Sequence, residues 1–176
     1  MAARLKDKVI VITGGTSGIG EATARRCAEE GAKIVLAGRN AEKGEALTRE
    51  LGGDATFIRT DVMREADIAA LIDQTVERFG RLDCLFNNAG AGERSSVETV
   101  TEEQFAEVMR LLVGSVVFGM KHAARVMKPQ GSGCIINNSS IAAHRINQGG
   151  YLYSGAKAAV SHLTRLAGAE LGPFGI

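Results

Sequence analysis

The chain has 176 residues, 45% of them hydrophobic, which suits one domain spanning residues 1–176 with a substantial core. Its 21 Lys and Arg against 20 Asp and Glu leave a net charge of +1, too balanced to hold nucleic acid or an anionic membrane. Cys27, Cys84 and Cys134 are widely spaced in apolar segments, and the three His are scattered. That pattern reads as buried reduced thiols in a cytoplasmic protein and argues against a disulfide framework or a metal site.

In chain order, Met1 to Lys8 is short and polar, with no leader-like apolar stretch. The longest purely apolar run, Val9 to Ile12, is far too short to span a bilayer. Short β-branched runs then alternate with longer stretches of helical period. Strands are expected at Lys8–Thr13, Lys33–Ala37, Ala55–Arg59, Cys84–Phe86 and Gly133–Asn138. Helices are expected at Gly18–Glu30, Ala41–Leu51, Arg64–Phe79, Thr101–Met127 and Tyr151–Leu171. Thr101 followed by Gln104 is a capping box, Gly31 and Gly52 lie where helix C-caps fall, and Glu45–Arg49 and Glu77–Arg81 are spaced as helical ion pairs. Alternation of this kind predicts an α/β fold of Rossmann type: a doubly wound parallel sheet with helices on both faces. Its ligand crevice would lie beyond the C-terminal ends of the strands.

The segment Val9–Gly20 leaves an apolar strand, turns through glycines and enters a helix. Gly14 permits the tight turn, Gly18 lets the backbone approach a pyrophosphate, and Gly20 allows close helix packing. The helix N-terminus offers free N–H groups and a partial positive charge for phosphate. Thr16, Ser17 and Ile19 in the same loop are further candidate contacts. After the second strand the chain reads Ala37-Gly38-Arg39-Asn40, with a guanidinium and no carboxylate. A carboxylate there would bind a ribose 2′-hydroxyl, whereas Arg39 suits a 2′-phosphate, which favours NADP(H) over NAD(H).

Four motifs in order then resemble the short-chain dehydrogenase/reductase family from Lys6 onward: Thr13–Gly20, Asp61-Val62, Asn87-Asn88-Ala89-Gly90, and Tyr153-Ser-Gly-Ala-Lys157 preceded by Ser140. The resemblance implies that Asp61 and the Val62 backbone contact adenine, that Asn88, Ala89 and Gly90 line the nucleotide, and that Ser140, Tyr153 and Lys157 are catalytic. It also implies that Lys157 holds the nicotinamide ribose. Physically, Tyr153 and Lys157 share one helix face at i,i+4 spacing. A phenol titrates near 10, and a neighbouring ammonium favours its charged form. The implied reaction interconverts a carbonyl and a secondary alcohol by hydride transfer, with Tyr153 as acid and base.

Ser139 and Tyr151 are close decoys for Ser140 and Tyr153. His144, Arg145, Asn147 and Gln148 stand where the family contacts substrate, and read equally as ordinary loop residues. Homo-oligomerisation, as a dimer or tetramer, through the helices at Thr101–Met127 and Tyr151–Leu171 is a further implication. Two departures stand out. The family's usual Asn in the long helix aligns with Leu112, which cannot hydrogen-bond, with Ser115 one turn on. The sequence also stops where the family continues, so the last strands are expected to be missing and the fifth strand to form an apolar edge. These departures motivate an alternative reading as a truncated, non-catalytic nucleotide-binding or interaction subunit.

Overall fold

The computed structural model describes residues 3–176; residues 1 and 2 of the polar N-terminal segment lie outside it. Five strands form one parallel sheet in the order β3-β2-β1-β4-β5: β1 Val9–Thr13, β2 Lys33–Gly38, β3 Thr56–Arg59, β4 Cys84–Asn87 and β5 Cys134–Asn137. All pairings are parallel, with Val11 opposite both Val35 and Leu85 at the centre. The order reverses direction at the β1–β4 seam, the place where the loops leaving two adjacent strands diverge and open a crevice.

Side-chain alternation along the strands builds two separate layers. Val11, Val35, Ala37 and Leu85 point to one face, where Leu71, Ile72, Ala123 and Met127 cover them. Ile10, Ile12, Ile34 and Leu36 point to the other, against Ala24 and Leu47. Both faces of β1 are therefore dry, which explains its uninterrupted Val-Ile-Val-Ile sequence. The covering helices are α1 Gly18–Glu29 and α2 Ala41–Leu51 on one side, and α3 Glu65–Phe79 and α5 Ser115–Gln130 on the other. In α3 the buried residues Ile68, Leu71, Ile72 and Thr75 recur at the helical period, so one stripe faces the sheet. The last helix, α6 Tyr151–Leu171, packs on α5 through Val160 against Val116 and Met120.

The expected α/β architecture and all five strand–helix alternations are borne out, with ends shifted by a residue or so. The Thr101 capping box is present in full, each partner binding the other's backbone. Other expectations need correction. The long helix is not continuous α-helix: α4 Glu102–Met109 passes into a π-helical turn over Arg110–Gly114 before α5, with the Ser115 amide donating to the Arg110 carbonyl. It also runs past Met127 through Pro129 to Gln130, whose side-chain amide donates to Leu82 O (2.9 Å) and accepts from Leu82 N (3.0 Å). Arg81 does not pair with Glu77. Gly80 ends α3 at φ 76°, so Arg81 leaves the helix and binds Asp83 at 2.6 Å. No Glu45–Arg49 ion pair forms among the described residues. The thiols are free but not uniformly buried: Cys27 and Cys84 are half-buried and Cys134 is exposed. β5 has β4 as its one neighbour in the sheet, and Ile136 on it is 49% exposed.

Candidate active site

The loops leaving β1 and β4 meet at the reversal point of the sheet, and their contact is a network centred on Thr13 and Asn88. The Thr13 hydroxyl accepts from the amides of Asn88 (3.0 Å) and Ala89 (3.1 Å). The Asn88 side-chain amide donates to the carbonyls of Thr13 (3.1 Å) and Gly14 (3.3 Å) and accepts from Asn138 at 3.1 Å. The ends of β1, β4 and β5 are thereby locked together by one side chain. Against this knot the glycines of the first loop have separate duties. Gly14 and Gly18 adopt φ 64° and 54°, a conformation costly for a residue with a side chain. Gly20 has no room for one: a Cβ there would lie 2.2 Å from the Gly14 carbonyl oxygen.

Above this floor runs a cleft in two connected parts. One, of about 500 Å³, is lined by Thr16, Arg39, Lys43, Asp61 and Val62. The other, of about 320 Å³, is lined by Gly18, Ile19, Asn88, Leu112, Tyr153 and Lys157. Gly14, Ser17, Ala89, Gly90 and Ala91 line both. Of the residues expected to bind the cofactor or to act in catalysis, Gly14, Thr16, Ser17, Gly18, Ile19, Arg39, Asp61, Val62, Asn88, Ala89, Gly90, Tyr153 and Lys157 line this cleft, while Ser140 does not and Gly20 packs beneath it. The N-terminus of α1 opens onto it, and no side chain caps that helix end, so its first amides remain available. Arg39 and Lys43 are both exposed and neither forms an ion pair among the described residues. Asp61 and Glu107 bring carboxylates to the same part of the cleft, and Asp61 Oδ1 is engaged by the Met63 amide at 3.1 Å.

At the other end, Lys157 is only 5% exposed, and its ammonium donates to the Asn138 carbonyl at 2.6 Å. Its Nζ stands 5.7 Å from the centre of the Tyr153 ring. Burial pushes its pKa down from the ordinary lysine value. Tyr151 is 54% exposed and lines a different cavity with Val97, Ile146, His144, Arg145 and Asn147, so it does not meet Lys157. The two serines also separate. Ser139 is consumed structurally, donating to the Lys157 carbonyl at 3.1 Å and lying 2.7 Å from Ser161 Oγ. Ser140 accepts from the Ala142 amide at 3.2 Å, which leaves its own proton free to donate.

Leu112 lies in the π-turn, 1% exposed, with a methyl 3.0 Å from where a Cβ on Gly90 would stand. Ser115 does not take over a polar role at the cleft, because its hydroxyl donates to the Leu111 carbonyl at 2.5 Å. Lys43 and the Asn138 carbonyl were not anticipated from sequence. The first is an ordinary surface position in the opening turn of α2, and the second is a backbone acceptor that no side-chain pattern reveals.

The family description "short chain dehydrogenase" matches residues 8–176. The chain belongs to the short-chain dehydrogenase/reductase family. Among curated relatives it is similar to tropinone reductase-like 1 of Erythroxylum coca, 42% identical over 98% of this chain and 65% of that protein. Among solved structures it is similar to levodione reductase, with TM-score 0.92, 36% identity and coverage of 97% of this chain and 69% of the other. A short chain dehydrogenase from Mycobacterium smegmatis gives TM-score 0.93 at 35% identity, covering 97% and 74%. The chain thus spans about 65% of the length of the first curated relatives it matches.

A nicotinamide dinucleotide, the cofactor type of short-chain dehydrogenases, fits the cleft on the residues present. The uncapped α1 N-terminus suits the pyrophosphate, the unpaired Arg39 and Lys43 face the first part, and Tyr153 and Lys157 bound the second. Among the described residues no helix is long and apolar enough to cross a membrane, and no group of three or more His, Cys, Asp or Glu is placed to hold a metal ion.

Proposed function

We propose that this chain is one nucleotide-binding domain of an NADP(H)-dependent oxidoreductase that interconverts a small-molecule carbonyl and a secondary alcohol. The observation that carries the reading is the placement of Tyr153 beside the buried Lys157 on the wall of a cleft that continues over the uncapped start of α1. The α1 amides hold the pyrophosphate, Asp61 and Val62 flank the adenine, and Lys157 holds the nicotinamide ribose. Arg39 and Lys43 select the 2′-phosphate, since no carboxylate stands at the end of β2 to claim a 2′-hydroxyl.

When bound, the nicotinamide supplies or accepts the hydride. The chain's own residues handle the proton. Tyr153 Oη donates a proton to the carbonyl oxygen during reduction and takes it back during oxidation. The Lys157 ammonium, held in place by the Asn138 carbonyl, keeps two further N–H groups and its charge beside the phenol. Ser140 donates its hydroxyl proton to the substrate oxygen and steadies the charge that develops there. Leu112 brings no hydrogen-bonding side chain to this wall, and among the described residues Lys157 is the cationic proton donor that lines it. The protein works in the cytoplasm as a homo-oligomer.

The test is the conversion of Tyr153 to Phe. Loss of NADPH-dependent carbonyl reduction with retained NADPH binding is expected. Turnover that survives the substitution would remove Tyr153 from its role.

A further inference from the structure

We propose that Glu93 is a positioning residue for Tyr153: its carboxylate caps the N-terminus of α6 and fixes the turn on which the tyrosine stands. The catalytic half of this proposal rests on the oxidoreductase reading above; the capping half does not.

A helix start leaves its first amides without partners inside the helix. At α6 the N-cap residue is Gly150, which has no side chain to satisfy them. The partners come from a loop 60 residues earlier: the Tyr153 amide donates to Glu93 Oε2 at 3.1 Å. The Tyr151 amide donates to the Ser95 carbonyl at 3.0 Å, and the Leu152 amide also reaches the Glu93 carboxylate. Glu93 Oε1 accepts from the Ser95 amide, so the carboxylate is clamped within its own loop as well. Glu93 forms no ion pair among the described residues, which leaves the positive end of α6 as its counter-charge. Burial alone would raise its pKa, but hydrogen bonds from Ser95, its side chain first, and from the amides of Tyr153 and Leu152 hold it below the ordinary glutamate value, so it is ionised at neutral pH.

The fit is close. A Cβ on Gly150 would lie 2.2 Å from the Glu93 carbonyl oxygen and 2.7 Å from Oε2, so a glycine is required for the loop to reach the helix end. The same loop begins with Gly90, Ala91 and Gly92, which line the part of the cleft holding Tyr153 and Lys157. One short segment therefore forms the cleft wall and anchors the catalytic helix. Tyr153 lies in the first turn of α6, where fraying begins, whereas Lys157 lies a turn deeper and is tied to β5 through Asn138. Loss of the cap should disturb the tyrosine first.

The experiment compares Glu93→Ala and Glu93→Gln with the parent protein by amide hydrogen exchange, NADPH titration and steady-state kinetics. In Glu93→Ala, exchange at Leu152 and Tyr153 should quicken about threefold to thirtyfold, the size of a lost helix cap, while Val160 is unchanged. Over the same range kcat should fall, with little change in the NADPH dissociation constant. Glu93→Gln keeps an acceptor oxygen and should recover most of kcat. Where Glu93→Ala does not fold, Glu93→Asp, a methylene too short to reach, is read in its place. Unchanged exchange at Tyr153 overturns the cap. Quickened exchange with unchanged kcat overturns the positioning role. A parent protein that binds NADPH, reduces no carbonyl and still shows the exchange response overturns the oxidoreductase reading while the cap stands.

Discussion

Replacing Asn88 with Ala removes three hydrogen bonds at the point where β1, β4 and β5 converge: those to Thr13 O, to Gly14 O and from Asn138. A neutral hydrogen bond contributes about 0.5–1.5 kcal/mol net, and Asn88 is only half-buried, so the lower half of that range applies. Three such bonds give a loss of about 1.5–3 kcal/mol. For a chain of this size each kcal/mol moves the midpoint by about 2–4 °C, so melting should fall by about 3–12 °C. Asn138→Ala breaks one of the three and leaves the backbone carbonyl at that position free to hold Lys157, so its cost should be about 0.5–1 kcal/mol, a third as large. Urea unfolding of both variants, read by far-UV circular dichroism, measures the ratio. Because two of the lost bonds orient the Thr13 and Gly14 carbonyls under the phosphate loop, NADPH affinity should fall in Asn88→Ala and stay near the parent value in Asn138→Ala. Equal destabilisation by the two substitutions would refute the idea that Asn88 is the joint of the three strands.

Other outcomes follow from the same geometry. Arg39→Ala should weaken NADPH binding about tenfold, the scale of one charged hydrogen bond at an exposed site, and leave NADH binding nearly unchanged; equal losses for both cofactors in titration calorimetry would count against a phosphate-reading role. Lys43→Ala should act in the same direction and more weakly, since an ammonium lacks the planar fork of Arg39. The thiols should divide by exposure. Cys134 is exposed, while Cys84, opposite it in register, has its thiol pushed up to about 12, chiefly by burial and then by Cys134. Iodoacetamide at about pH 8 should therefore modify Cys134 first and spare Cys84, as peptide mass spectrometry would show; comparable labelling of both would contradict the assigned environments.

How much of this was legible in the sequence depends on how local the cause is. The Val-Ile-Val-Ile strand, the glycine triad and the Thr101–Gln104 box are governed by neighbours within a few residues, and all stand where their pattern put them. The π-turn at Arg110–Gly114 was not legible, because one extra residue in a helical turn leaves the apolar period nearly intact while rotating Leu112 into the cleft. Arg81 shows how a single backbone dihedral defeats a spacing rule: Gly80 takes it out of the helix before it can meet Glu77. Glu93 lies in an aperiodic loop, and its partner amides lie 60 residues away, so nothing near it in the chain announces a cap. Ser139 and Ser140 could be told apart only by their surroundings, one turned to Ser161 and the other left with a free proton.

Hydride transfer between NADP(H) and a carbonyl carbon in this cleft is the proposed chemistry. The direct measurement is a single-turnover reaction of the protein with NADPH deuterated at the reactive carbon of the nicotinamide, in separate preparations for its two faces, against a panel of ketones. Deuterium is expected on the carbinol carbon of at least one product from one labelled face and not the other, with no transfer by the Tyr153→Phe variant. Deuterium that remains on a demonstrably bound cofactor with every ketone, or transfer undiminished in Tyr153→Phe, would contradict it.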